Sequence, residues 1–269
     1  MKRLLFILAL FLASPAFADE FITLASTTST EQSGLFSYLI PLFKQASGID
    51  VHVVAVGTGQ ALAIGARGDA DALLVHDREG EDNFVADGHG IDRRDVMFND
   101  FVLIGPKSDP ADVRGVKNAK EALRKIAEAK APFASRGDDS GTHRMELRLW
   151  KAAGVDVAAA AAPWRRETGS GMGPTLNIAA SLDAYVLADR ATWANFKNRQ
   201  SLEILSEGDP VLFNPYGSIL VNPKLHPHVK AEPARRWHEW LTSAPGRAAI
   251  ASYKINGEQV FFLPDAMVR

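Results

Sequence analysis

Four segments of this chain set small hydroxyl and glycine residues where a strand gives way to a helix. They are Ser26-Thr27-Thr28-Ser29-Thr30, Gly57-Thr58-Gly59-Gln60, the run from Ser135 to Thr142, and Thr168-Gly169-Ser170-Gly171-Met172-Gly173. The free N–H groups and the positive dipole end at a helix start form an anion site, and glycine lets an anion come close. At any single joint, ordinary helix capping accounts for the same residues. Four such joints in one chain, of which only the third carries an arginine, point to a shared task. That arginine is Arg136. One guanidinium among neutral donors suits a small dianion, since it supplies a bidentate charge-assisted contact while hydroxyls and amides take the remaining oxygens. Asp138, two residues on, is placed to hold the guanidinium, and Ser140, Gly141 and Thr142 open a helix directly after it.

The elements that must carry these joints follow from periodicity. Apolar runs predict strands over 21–25, 50–56, 72–75, 101–105, 132–134, 184–187 and 218–221. Apolar residues at three- and four-residue spacing, such as Leu35, Leu39, Leu42, Phe43 and Ala46, predict helices between them, with Pro41 expected to kink the first. Further helices are expected over 119–129, 140–153 and 233–241. Strands alternating with helices indicate an α/β architecture with mainly parallel sheets.

Composition excludes other chemistries. The 269 residues include 30 Lys plus Arg, 32 Asp plus Glu and no cysteine, and 46% are hydrophobic. A net charge of -2 offers no electrostatic footprint for nucleic acid or an anionic membrane. Thiol nucleophiles, disulfide scaffolds and zinc ribbons fall away with cysteine. The seven histidines form no ligand set: His226 and His228 flank Pro227, His238 neighbours Glu239, and all three read as solvated. Trp237 and Trp240, three apart, read as one buried helix face. Gly137-Asp138-Asp139-Ser140-Gly141 has a superficial likeness to the Gly-Asp-Ser-Gly-Gly of trypsin-like proteases, with His143 one turn on, but the inserted aspartate spoils the match. At the N-terminus, Lys2 and Arg3 precede the apolar run Leu4 to Ala13, and Ala16-Phe17-Ala18 predicts signal-peptide cleavage after Ala18. That run is half the ~20 residues needed to cross a bilayer. Cleavage removes Lys2 and Arg3 and takes the charge from -2 to -4.

Together with Leu74-Val75-His76-Asp77 and the segment from Tyr253 to Gln259, these joints make the chain, from about Leu24 onward, resemble the tungstate-binding proteins of ABC importers. The Thr-Thr-Thr-Ser motif of that family is matched by Ser26-Thr27-Thr28-Ser29, where serine keeps the first hydroxyl but loses its methyl. Met172-Gly173 and Asp189-Arg190-Ala191-Thr192 also look like family segments. The resemblance implies a two-lobed type II periplasmic binding protein, with an oxyanion in a cleft between two mainly parallel sheets flanked by helices. It puts the family's essential arginine on Arg136 and a neighbouring donor on Ser140. With the other joints, the candidate ligand-binding set is Ser26, Thr27, Thr28, Ser29, Thr58, Arg136, Ser140, Gly141 and Thr142. The crossing strands fall on 99–106 and 213–222. The expected layout is a signal peptide over 1–18, lobe 1 over 19–102 and 214–269, and lobe 2 over 103–213.

The function so implied is a monomeric periplasmic receptor, not an enzyme, that takes tungstate or molybdate to the permease of an ABC importer in the inner membrane. No nucleic acid, cofactor or metal cation is expected. The alternatives are a receptor for phosphate or another tetrahedral oxyanion, and, from a different class, a secreted serine hydrolase. Tungstate, molybdate and sulfate carry no proton at neutral pH and suit an all-donor site, whereas monohydrogen phosphate needs an acceptor. Asp77 is the candidate acceptor, and the Arg136-to-Thr142 loop also resembles one in phosphate-binding proteins.

Overall fold

The structure, a computed structural model, describes residues 20–157 and 163–265; the expected cleavage site at Ala18 lies outside them. The chain opens with β1 (Phe21–Thr27), α1 (Thr28–Gln32), α2 (Leu35–Ser47), β2 (Asp50–Val56), α3 (Thr58–Ala66), β3 (Ala72–Val75) and α4 (Arg78–Ala86). The long β4 (Gly90–Pro106) leads into α5 (Ala119–Ala129), β5 (Phe133–Ser135), α6 (Gly141–Ala152), β6 (Arg165–Glu167), α7 (Met172–Leu182), β7 (Tyr185–Asp189), α8 (Arg190–Asn195) and β8 (Leu202–Ser206). β9 (Phe213–Val221) returns, followed by α9 (Ala231–Thr242), α10 (Ala244–Ser252) and the short pair β10 (Lys254–Ile255) and β11 (Glu258–Gln259).

Two parallel cores emerge, β2-β1-β3 in one lobe and β6-β5-β7 in the other. Antiparallel ladders connect them. β9 pairs with β3 and with the first half of β4, while the second half of β4 pairs with β7 and β8. At 17 residues β4 spans roughly 55 Å, enough to serve both sheets. Its first half reads Asp92-Arg93-Arg94-Asp95, with register shifts on either side of Arg94, so no apolar alternation announces it. That is why apolar pattern alone predicts only 101–105 there.

Hydrophobic packing follows the same division. One pair of apolar clusters centres on β1, β3, α2, α9 and α10, and includes Leu24, Phe43, Leu74, Trp237 and Ile219. The other pair centres on β5, β7, α5, α6 and α7, and includes Phe133, Trp150, Leu123, Val186 and Leu176. α2 presents Leu35, Phe36, Leu39 and Phe43 inward and ends on Gly48, whose φ of 76° needs glycine. The helix runs unbroken through Pro41, which faces solvent.

Of the three histidines expected to be solvated, His228 is exposed and His226 half-buried, and His238 departs from expectation. His238 is fully buried and hydrogen-bonds Ser218 Oγ at 2.8 Å, because α9 lays that face on β9. His226 and His228 donate from Nε2 to the Ala66 and Gly68 carbonyls at 3.0 and 2.9 Å, tying the segment after β9 to the end of α3. Trp237 is buried, as its spacing with Trp240 predicts.

Candidate functional site

Each joint exposes helix-start residues at the carboxyl end of a strand, where open α/β sheets hold their ligands. At the first, Thr27 caps α1 by accepting from the Thr30 N–H at 3.3 Å. Ser26, fully buried, donates its hydroxyl to the Leu74 carbonyl of β3 and so ties two strands together. Thr28 differs. Its hydroxyl accepts from Arg136 Nη2 at 3.3 Å, which leaves its own proton to be given to a further acceptor.

The second joint behaves like Thr28. Gly57 supplies no side-chain cap to α3, and the Thr58 hydroxyl instead accepts the Gly141 N–H from the opposite lobe at 2.8 Å. Its proton too remains available.

The third joint carries the charge. Arg136 is 2% exposed, and Asp138 Oδ2 takes its Nε at 3.2 Å and its Nη2 at 2.6 Å, so the guanidinium is held rigidly from one side. Ser140 caps α6 by accepting from the His143 N–H at 3.2 Å. Thr142, 1% exposed, has a buried hydroxyl with no hydrogen-bond partner among the described residues. Such a group costs about 1 to 3 kcal/mol, which a bound oxygen would recover.

The fourth joint is quieter. Thr168 and Thr175 bond each other at 2.8 Å, and the Gly173 N–H donates to Gln32 Oε1 of the other lobe at 3.0 Å.

Among the candidate residues, then, Ser26 gives its proton to Leu74 and Thr27 caps α1, whereas Thr28, Thr58 and Ser140 each accept an N–H and keep their own protons, and Thr142 has no partner among the described residues. Pattern alone missed His76 as a member of this group. Its Nε2 lies 3.0 Å from Ser29 Oγ and 3.1 Å from Thr27 Oγ1. Asn214 donates to Asn99 Oδ1 at 2.7 Å, so Asn214 Oδ1 must accept the His76 Nδ1–H at 3.0 Å, and Nε2 is left as an acceptor of hydroxyl protons. Burial pushes the His76 pKa down to about 4, with the Arg136 charge adding to the effect and the Asn214 contact opposing it. The ring is neutral at pH 7. Behind it, Asn99 reaches the buried Asp189, whose pKa burial raises and whose Oδ2 has no partner among the described residues. The only advance signal for His76 and Asp189 was their place in family-like segments, because their partners lie up to 138 residues away.

Asp77 is 2% exposed, and Arg144 and Arg148 of α6 occupy its two oxygens at 2.9 and 3.2 Å. It is therefore committed to cations and does not stand free as the acceptor monohydrogen phosphate requires. The hydrolase constellation is also missing. Ser140 Oγ meets the His143 backbone, while the His143 ring accepts the Asp139 N–H on Nδ1 at 3.1 Å, so no base addresses the serine. No group of three or more metal-ligating side chains occurs among the described residues.

Residues 16–245 match the PBP superfamily domain. The tungstate-binding protein TupA of Peptoclostridium acidaminophilum is 46% identical over 234 residues, covering 86% of this chain and 81% of that protein. TupA of Campylobacter jejuni is 40% identical over 245 residues, covering 90% of each. The crystal structure of the tungstate ABC transporter from Geobacter sulfurreducens superposes with a TM-score of 0.80 at 48% identity, covering 88% of this chain and 100% of that one. The tungstate-binding protein TupA from Desulfovibrio alaskensis G20 gives 0.77 at 42% identity, covering 91% and 98%.

Proposed function

The chain belongs to the PBP superfamily, and on that premise we propose that it is a periplasmic receptor that binds tungstate and delivers it to an ABC-type importer. The observation that carries this is the donor balance of the cleft. The buried Arg136 guanidinium meets Thr28 of the other lobe, Thr58 meets Gly141 across the lobes, and the hydroxyls of Thr28, Thr58 and Thr142 have protons to give, while the carboxylate offered as an acceptor, Asp77, is already paired. An oxyanion without a proton, tungstate or molybdate, matches such a set. Tungstate is the cargo and not a cofactor.

Of the expected ligand set, Thr27, Thr28, Ser29, Thr58, Arg136, Ser140 and Thr142 are proposed for this role, whereas Ser26 gives its proton to Leu74 and Gly141 its N–H to Thr58 and both serve the frame of the site. Thr28, Thr58, Arg136 and Thr142 are the direct donors, and His76 orients Ser29 and Thr27 beside them. We assign lobe 1 to 19–102 and 214–269 and lobe 2 to 103–213, a division supported by the separate apolar clusters. The protein acts as a monomer, without catalysis, after removal of residues 1–18.

A competition titration of the purified protein with tungstate, molybdate, sulfate and phosphate tests the assignment. Tungstate and molybdate should bind most tightly. Phosphate displacing both would replace this function with that of a phosphate receptor.

A further inference from the structure

Asp77 stands at the N-cap of α4, a position where aspartate ordinarily accepts from an N–H of its own helix. Here it makes no such bond. The carboxylate instead turns across the cleft to Arg144 and Arg148, both on α6 of the other lobe. Glu81 meets the local need by accepting the Asp77 N–H at 2.9 Å. Arg144 is itself aimed in advance, because Asp139 grips its Nε and Nη2 at 2.9 Å each. Arg148 also lies 3.7 Å from Glu79 at the start of α4.

Two glycines make room for this contact. A Cβ on Gly59 of α3 would overlap Asp139 Oδ2 and come within 2.8 Å of Arg144 Nη2. A Cβ on Gly80 of α4 would lie 2.9 Å from Asp77 Oδ2 and 3.2 Å from Arg144 Nη1. Neither glycine has a positive φ, so backbone conformation does not call for glycine at either place. In a helix glycine is the poorer choice by about 1 kcal/mol against alanine. What both positions share is proximity to the arginine that crosses between lobes.

We propose that Asp77, Arg144 and Arg148 form an electrostatic clasp between the lobes, admitted by Gly59 and Gly80, that holds the closed form and sets how fast the anion leaves. Asp77 is thus a positioning residue that acts through closure and does not touch the anion. The release-rate part rests on the oxyanion-receptor function proposed above, whereas the closure part does not.

The test uses the absence of cysteine in the chain. Spin labels at Asp87→Cys and Glu128→Cys, exposed positions on the two lobes, report the interlobe distance with and without tungstate. Asp77→Asn should shift the distribution to longer distances, raise the tungstate dissociation rate about 10- to 100-fold and leave the association rate within about twofold. Gly59→Ala should act in the same direction on distance and release while leaving the unliganded protein at least as resistant to urea, a combination that mere loss of structure cannot produce. Distance distributions that coincide for the wild type and both variants would overturn the clasp even if wild-type protein bound no tungstate. Loss of affinity carried by the association rate, or confined to phosphate, would overturn it as well by placing Asp77 at the anion.

Discussion

At the scale of single residues, the site divides into groups that hold the fold and groups that hold protons ready. Arg136 is the principal charge of the second kind. Arg136→Ala should weaken tungstate binding by about 2 to 4 kcal/mol, the usual scale for removing a buried charged partner, and calorimetry reads it directly. Thr142 carries the opposite balance of stability and affinity. Its hydroxyl is buried without a partner among the described residues, so Thr142→Val should weaken binding by about 1 kcal/mol while the unliganded protein becomes no less stable in urea. His76 links the site to pH. Its folded pKa of about 4 lies below the ordinary 6.5, so the stability it contributes is complete above pH 6.5 and is lost as pH falls through 4. The full loss amounts to ~3 kcal/mol. Glu81 runs the other way, since burial raises its pKa to about 7 and its contribution is lost as pH rises toward that value. The two must be separated by comparing wild type with His76→Gln across pH 4 to 6.5, where the variant should lose less stability. Equal losses would show that His76 does not titrate with folding.

At the scale of elements, local pattern succeeded where a segment carries its own apolar residues and failed where its residues are polar. β2, β3 and α5 have the bounds that periodicity predicts. β6 escaped because Arg165-Arg166-Glu167 contains no apolar residue; what makes it a strand is its parallel pairing with β5. The crossing strands were partly hidden for the same reason, with Asn99 and Asn214 buried in a polar contact that only the pairing of β4 with β9 creates. Pro41 illustrates a local cost that packing outweighs. It sits in the interior of α2, where proline removes a backbone bond, yet the apolar face of the helix holds it in place. Pro41→Ala should raise stability by about 1 to 3 kcal/mol in a urea melt, without changing tungstate affinity. A loss of stability would show that the proline ring makes a contact worth more than the missing bond.

At the scale of the whole molecule, the anion site proposed for a chain of net charge -2 relies on attraction confined to one cleft. The net charge of the chain gives no long-range pull on an anion. The association rate of tungstate, followed by fluorescence of the five tryptophans, should therefore stay level or rise as salt is added, where a steered encounter would slow steeply. A steep fall with salt would reveal a cationic approach path. The sequence by itself determined the alternation of strand and helix, the hydroxyl-rich joints and the lone arginine among them, because each is a property of neighbours along the chain. Tertiary structure alone decided which of those groups meet. Ser29 faces His76 from 47 residues away, Thr58 faces Gly141 from 83 and Asp77 faces Arg148 from 71. Such contacts depend on strand order and on how the lobes close over one another, and no local spacing encodes either.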